Sequence, residues 1–368
     1  MQIVIFCHSL DSCWNHGNAH FLRGVVTELS ACGHRVRVWE PRNAWSRENR
    51  DREPNAHQAR QGYVETYPDL ESIPYDLETL DLDRALDGVD LVLVHEWNEH
   101  ALVARIGAHR AQSGTYQLLF HDTHHRGVTD PDAMAAYDLS GYDGVLAFGK
   151  VLRDLYLARG WAKRAWTWHE AADTRVFRPH REQERVGDLV WIGNWGDDER
   201  TQELHEFLLE PVRALKLRAR VYGVRYPPDA LTALQEANIE YAGWLPNHAA
   251  PRVFGQFACT VHVPRCPYVR ALPGIPTIRV FEALACGIPL VSAPWHDAEG
   301  LFTPGEDFLI AQNGAEMTQH LRTLMNDPKA AQALAARGLA TIRARHTCAH
   351  RVEELLSIYQ ELIEDSPE

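Results

Sequence analysis

The chain has 368 residues, 45% hydrophobic and 24% charged, which suits two domains of roughly 150–180 residues better than one core. A formal net charge of −13 argues against nucleic acid as a partner, because no basic stripe offsets phosphate repulsion over a long contact. Seven cysteines without a C-x-x-C pair read as reduced, mostly buried thiols, so the expected compartment is the cytoplasm.

The opening "MQIVIFCHSL" lacks a basic n-region and a cleavage site, and no apolar run approaches the roughly 18 residues of a membrane helix. It reads as a first strand, "QIVIFC" (2–7), followed by a helix over 20–34 that stops at Gly33 and a second strand "RVRVWE" (35–40). Residues 41–85 are polar and aromatic without clear period and are expected to form a long irregular insertion. Alternation resumes with "DLVLVHEW" (90–97), a helix over 99–112, "YQLLFHD" (116–122), "GVLAFGK" (144–150), a helix and "RAWTWHEA" (164–171). Continuous apolar strands separated by amphipathic helices predict a parallel sheet covered on both faces.

The pattern breaks in the charged, aperiodic stretch 172–186, which predicts a linker. It restarts with "LVWIGNW" (189–195), a helix over 200–215, "RARVYGV" (218–224), a helix over 228–237 and "IEYAGWL" (239–245). "CTVHVPR" (259–265), a helix opening near Thr277, "PLVSAP" (289–294) and helices from 315 onward complete the second cycle. The expected fold class is therefore α/β, with two Rossmann-like doubly wound parallel-sheet domains facing across a cleft. The expected boundaries are 1–172, a linker at 173–186, and 187–349, with an amphipathic helix over 350–368 packing back on the first domain. In such sheets ligands bind beyond the carboxyl ends of the strands.

The loop ending in "PGIPTIRVFEALACG" is the strongest chemical signal. Pro273, Gly274 and Pro276 delay the helix to Thr277, a candidate N-cap. A helix amino end presents free N–H groups and a positive dipole, and Arg279 adds a planar fork suited to phosphate. Glu282, one turn on, is spaced to accept hydrogen bonds from vicinal ribose hydroxyls. The competing reading is a surface ion pair between Arg279 and Glu282, worth under about 1 kcal/mol.

The segments "VWIGNWGDDER", "VYGVRYP", "YAGWLPN", "IRVFEALACGIPLVS" and "LFTPGEDFL" follow the order of the donor domain of GT-B glycosyltransferases. The chain resembles family-4-type enzymes and, more closely, the CgeB-like spore-maturation group, in which R-x-F-E-A-x-A-C-G is a hallmark. "HEAADTRVFRP" is similar to that family's interdomain segment, and "LLFHDTHH" to the strand end carrying a donor-facing histidine.

The resemblance implies a metal-independent glycosyltransferase, with an acceptor-binding first domain and a second domain that holds a UDP-, GDP- or dTDP-sugar as donor. It assigns Glu282 to the nucleotide ribose and the backbone of Thr277 and Ile278 to the pyrophosphate. Gly243, Trp244, Leu245 and Pro246 would line the base, beside Tyr222 and Gly223, while His121 would lie near the donor sugar. Two departures stand out. Gly274 occupies the place of a second glutamate that usually holds donor hydroxyls. After the first strand of the second domain, at Gly193, Asn194 replaces a usual arginine and Glu199 a usual lysine. Leaving-group charge then falls to Arg279, Arg200, Arg265 and Arg270.

Loops of the first domain supply the candidate bases for an inverting reaction: His16, His20, His121 and Asp122. Retention, which family-4 likeness favours, would instead leave His121 to support the donor sugar. "HEWNEH" (95–100) and "HDTHHRGVTD" (121–130) do not match H-E-x-x-H, so no metal site and no required cofactor are expected. The acceptor stays open among saccharides, small molecules and proteins, as does a homodimer. A nucleotide-sugar epimerase or hydrolase, or a non-catalytic binder, are the rival functions.

Overall fold

Strands that are apolar along their whole length must hide both faces, and in the computed structural model they form two all-parallel sheets. The structure describes residues 1–365; residues 366–368, counted above in the final helix, lie outside the described residues. The chain divides into two compact units, Met1–Glu170 with Cys348–Glu368, and Ala171–Thr347. Among the described residues no helix is long and apolar enough to cross a membrane.

The first unit holds β1 (Gln2–Phe6), β2 (Arg35–Pro41), β3 (Ser72–Tyr75), β4 (Leu91–His95), β5 (Gln117–Asp122), β6 (Gly144–Ala147) and β7 (Ala165–Thr167). They lie in the order β3-β2-β1-β4-β5-β6-β7, so the direction of winding reverses between β1 and β4. Phe6 of β1 is in register with Val94 of β4, which brings the loops after these strands together. Helix α1 (Ala19–Ala31) begins just beyond the loop after β1, and the chain turns out of it at Gly33, whose φ of 83° suits glycine.

The 41–85 segment is not irregular. It folds into α2 (Trp45–Arg50), α3 (Ala56–Thr66) and the edge strand β3. Its order comes from buried charge rather than apolar period, which is why the sequence pattern missed it. Glu40 is fully buried and pairs with Arg47 of α2, while taking hydrogen bonds from the Leu10 N–H at 2.6 Å and the Ser72 hydroxyl at 2.7 Å. Buried Arg23 lies 4.8 Å from the ring of Tyr63, one of only two buried residues of α3. Helices α4 (His100–Ser113) and α5 (Lys150–Ala158) complete the cover used below.

The second unit repeats the plan with β8 (Gly187–Ile192), β9 (Ala219–Tyr222), β10 (Ile239–Tyr241), β11 (Phe257–His262), β12 (Leu290–Ser292) and β13 (Leu309–Ile310), in the order β10-β9-β8-β11-β12-β13. The helix after β8 is broken by a π turn at His205–Leu209, which ends two residues before Pro211, a residue with no N–H to give the α ladder. Helices α6 (Pro228–Glu236), α7 (Ile278–Ala285), α8 (Gly314–Asn326) and α9 (Pro328–Arg345) follow. A side chain at Gly338 would come within 2.7 Å of the Asp307 carbonyl and of Leu284, so glycine there lets α9 lie close on α7. The chain ends on α10 (Cys348–Glu364), which packs on α1 of the first unit through a stripe that includes Val352, Leu355 and Leu362. The Trp168 indole secures it by donating to the Arg351 carbonyl at 2.8 Å.

Candidate functional site

Within the second unit, the loops after β8, β9 and β10 are tied to one another by main chain. The Gly193 N–H donates to the Tyr222 carbonyl at 2.8 Å, and the Gly223 N–H to the Gly243 carbonyl at 2.9 Å. Asn194 Oδ1 accepts the Val224 N–H at 2.9 Å, so this side chain braces a loop rather than standing in for a cation. A Cβ at Gly223 would sit 2.1 Å from the Gly193 carbonyl oxygen, a contact no other residue tolerates. Gly243 has φ 72°, turning the chain into Trp244, Leu245 and Pro246. Trp244 is buried and its indole N–H has no hydrogen-bond partner.

Helix α7 starts where the sequence places it. Thr277 stands at the N-cap position, but its side chain does not cap. The Ser292 hydroxyl donates to the Ala293 carbonyl at 2.7 Å and so accepts from His262 Nδ1 at 2.9 Å. His262 Nε2 is then the acceptor for the Thr277 hydroxyl at 3.1 Å. Burial, with Arg200 nearby, holds this imidazole neutral with its pKa lowered to about 3. The first-turn N–H groups beyond Ile278 are thus left without a side-chain cap.

Arg279 and Glu282 pair with each other, yet not at the surface: Glu282 is fully buried, and its other oxygen accepts from Asn247 Nδ2 at 3.3 Å. The other candidate arginines differ in their surroundings. Arg200 donates to the carbonyls of Val263 (2.7 Å), Trp195 (3.4 Å) and Asn194, so it clamps backbone rather than offering a free fork. Burial, then the charges of Arg265 and Arg279, push its pKa down to about 9, which marks this end of the sheet as electropositive. Arg265 is paired with Glu199 at 2.9 Å, and Arg270 is exposed. At Gly274, φ is 91° and a Cβ would lie 2.8 Å from Glu299 Cγ and 3.1 Å from its Oε1. The Glu299 side chain therefore lies in the space beside Gly274, a neighbour that sequence spacing gave no reason to select. Two cavities of about 550 and 620 Å³ in this unit lie at the amino ends of the strands, opposite these groups.

In the first unit the four candidate bases are all buried. His20 lies inside α1 with no exposure, so it faces core rather than an open loop. His16, His95 and His121 form a run of rings with centroids 6.1 and 5.2 Å apart, and His8 meets His16 at 5.7 Å. Burial lowers His121 to about 3 and His8 to about 4, and takes His16 and His95 well below the usual imidazole value. His121 is enclosed by Phe21 and Trp168. Asp122 accepts from the Tyr156 hydroxyl at 2.8 Å and the His124 N–H at 3.0 Å, and burial raises it to about 6. Glu96, missed from sequence, is buried beside it and ion-paired to Arg126 at 2.5 Å; burial and the Asp122 charge raise it to about 8. Arg126 covers the Trp97 ring at 4.3 Å. Among the described residues no group of three His, Cys, Asp or Glu side chains is placed to hold a metal ion.

Residues 200–357 match the family described as glycosyl transferase-like. No curated protein sequence matches the chain. Among solved structures it is similar to a sucrose-phosphate synthase from Thermosynechococcus elongatus, at 16% identity and TM-score 0.67 over 100% of both chains. The Anabaena protein HepE in complex with UDP aligns at 12% identity and TM-score 0.67, over 98% of this chain and 100% of that one. An alpha-glucosyltransferase in complex with UDP-glucose and DNA aligns at 12% identity and TM-score 0.68, over 98% and 99%. The fold is GT-B, the two-Rossmann architecture of these glycosyltransferases.

Proposed function

We propose that this GT-B chain, matched over residues 200–357 to the glycosyl transferase-like family, transfers a sugar from a nucleoside diphosphate sugar to an acceptor hydroxyl. The observation that carries the reading is the start of α7: an amino end without a side-chain cap, Arg279 in its first turn, and a fully buried Glu282 one turn further. The ribose hydroxyls donate to Glu282, which releases Arg279 from its ion pair to meet the diphosphate. Departure of the phosphate builds negative charge where the N–H groups of 277–279 and that guanidinium already stand, a fixed arrangement that needs no metal ion. The unpartnered Trp244 N–H supports a base contact, since a carbonyl of the base would satisfy it. UDP-sugars are the donors to test first, because HepE and the alpha-glucosyltransferase were solved with UDP or UDP-glucose. DNA, present in the latter complex, is the less favoured acceptor at a net charge of −13. Retention of anomeric configuration belongs to the same reading.

A thermal-shift series with UDP, GDP, dTDP and their glucose conjugates tests the proposal. A donor at a hundredfold its Kd is expected to stabilise the protein by about 2.7 kcal/mol, with or without a chelator. If no nucleoside diphosphate or sugar conjugate raises Tm, the reading is wrong. A nucleotide that binds without any sugar release over long incubation leaves only a binder.

Glu299 refines the donor site. Its carboxylate fills the space of a side chain at Gly274 and is assigned here to the hydroxyls of the donor sugar. Glu299→Ala is expected to raise the KM for the sugar nucleotide about tenfold, the loss of a hydrogen bond to a charged group, with UDP affinity unchanged. An equal loss for UDP itself would move Glu299 to the nucleotide.

A further inference from the structure

The start of α7 lacks the cap that its own sequence offers. Threonine is a favoured N-cap residue, whose hydroxyl oxygen accepts the N–H two or three positions on. Thr277 has the extended backbone of that position, φ −78° and ψ 157°, yet its side chain caps nothing. The third N–H, that of Val280, is taken by the Thr277 carbonyl at 3.0 Å. The contested group is therefore the Arg279 N–H, on the residue whose guanidinium is assigned above to the diphosphate.

What draws the hydroxyl away is built into the sheet. His262 and Ser292 are the last residues of β11 and β12 and stand opposite each other in register. The Ser292 hydroxyl gives its proton to the Ala293 carbonyl at 2.7 Å, so it accepts from His262 Nδ1 at 2.9 Å. Both side chains are buried, and their bond orients the imidazole with Nε2 3.1 Å from Thr277 Oγ1. A hydroxyl bound to that nitrogen has its χ1 set, and so does not swing round to the helix. Residues 262, 277 and 292 thus meet in a bond that leaves α7 uncapped. An anion on the same N–H groups would take the place of the missing cap.

We propose that His262 and Ser292 are positioning residues that withhold the Thr277 hydroxyl from α7 and so keep the Arg279 N–H open for the diphosphate of the donor. This role rests on the donor-site reading above, whereas the withheld cap itself does not. The competing account is that the three side chains only satisfy one another inside the sheet.

Two measurements decide between them. Without ligand, the Arg279 amide of the full chain should exchange with deuterium roughly tenfold or more faster than the amides of Glu282 and Ala283. His262→Leu removes the partner of the hydroxyl, so Thr277 should cap and Arg279 exchange should slow about five- to tenfold, the worth of one cap. Arg279 exchange that is slow in the unaltered protein, or unchanged by His262→Leu, overturns the proposal. Calorimetry with UDP reads the consequence. His262→Leu should weaken UDP about five- to tenfold, and His262→Gln, whose amide can hold the same hydroxyl, should recover most of that loss. In a Thr277→Val background, where no hydroxyl is left to cap, His262→Leu should add no further loss. Equal losses in the two backgrounds assign His262 to packing and reject the proposal. Should His262→Leu fail to fold, His262→Phe keeps a ring without nitrogens and carries the same expectations; should both fail, exchange in the unaltered chain still decides. If UDP fails to bind the unaltered protein, the donor reading falls, while the exchange measurements still decide the withheld cap.

Discussion

Glu282→Gln is expected to weaken UDP binding ten- to a hundredfold while the protein stays folded. The carboxylate is fully buried at one turn from the start of α7, and hydrogen bonds to a charged group are worth about 1.5–3 kcal/mol. Glutamine is isosteric, keeps an oxygen for Asn247 Nδ2, and releases Arg279 from its pair. Arg279→Ala is the opposite experiment. It strands a buried carboxylate, and breaking a buried pair costs up to about 3–5 kcal/mol, less here because Arg279 is 30% exposed. Lost turnover in that variant therefore mixes stability with catalysis. Adding Glu282→Gln to Arg279→Ala should recover much of the lost Tm, since no unpaired charge then remains. Calorimetry that finds unchanged UDP affinity in Glu282→Gln removes the ribose assignment, whatever the arginine does.

What the sequence made legible follows from what repeats along it. Apolar runs such as "LVLVH" and the helix "IRVFEALA" carry periods that predict both sheets and the start of α7 within a residue or two. Groups that meet only in three dimensions leave no such trace. Glu96 and Arg126 lie thirty positions apart, and Glu40 orders the 41–85 segment through partners on either side of it. Arg200 was selected for its charge, but its carbonyl partners at Asn194, Trp195 and Val263 depend on how two loops close. Likewise Gly274 reads as a missing carboxylate, although the Glu299 side chain, twenty-five residues later, lies beside that position. Chemistry at strand ends was visible as residue type; its pairing was not.

The buried imidazoles make a second large effect: acid should unfold the first unit before the second. His8 and His121 have pKa values lowered to about 4 and about 3, and His16 and His95 are also well below the usual value, all chiefly through burial. Unfolded, each titrates near 6.5. Between pH 6.5 and about 4 the unfolded chain thus binds protons that the folded chain refuses. The stability tied to these rings is complete above pH 6.5 and is lost as pH falls. Glu96 and Asp122 act the other way. Their folded pKa values are raised, to about 8 and about 6, so their contribution is complete at low pH and is lost as pH rises through those values. Four histidines outweigh two carboxylates below pH 6.5, so stability and Tm fall as pH is lowered from neutral. In the second unit His262 is in a comparable state, its pKa lowered to about 3. Hydrogen exchange at pH 5.5 should therefore show protection lost first in β1, β4 and β5, with β8 and β11 still protected. Glu96→Gln should remove the milder loss above pH 7 and leave the acid limb in place. A Tm that is flat from pH 7 to 5 would mean that these imidazoles are already charged in the folded protein.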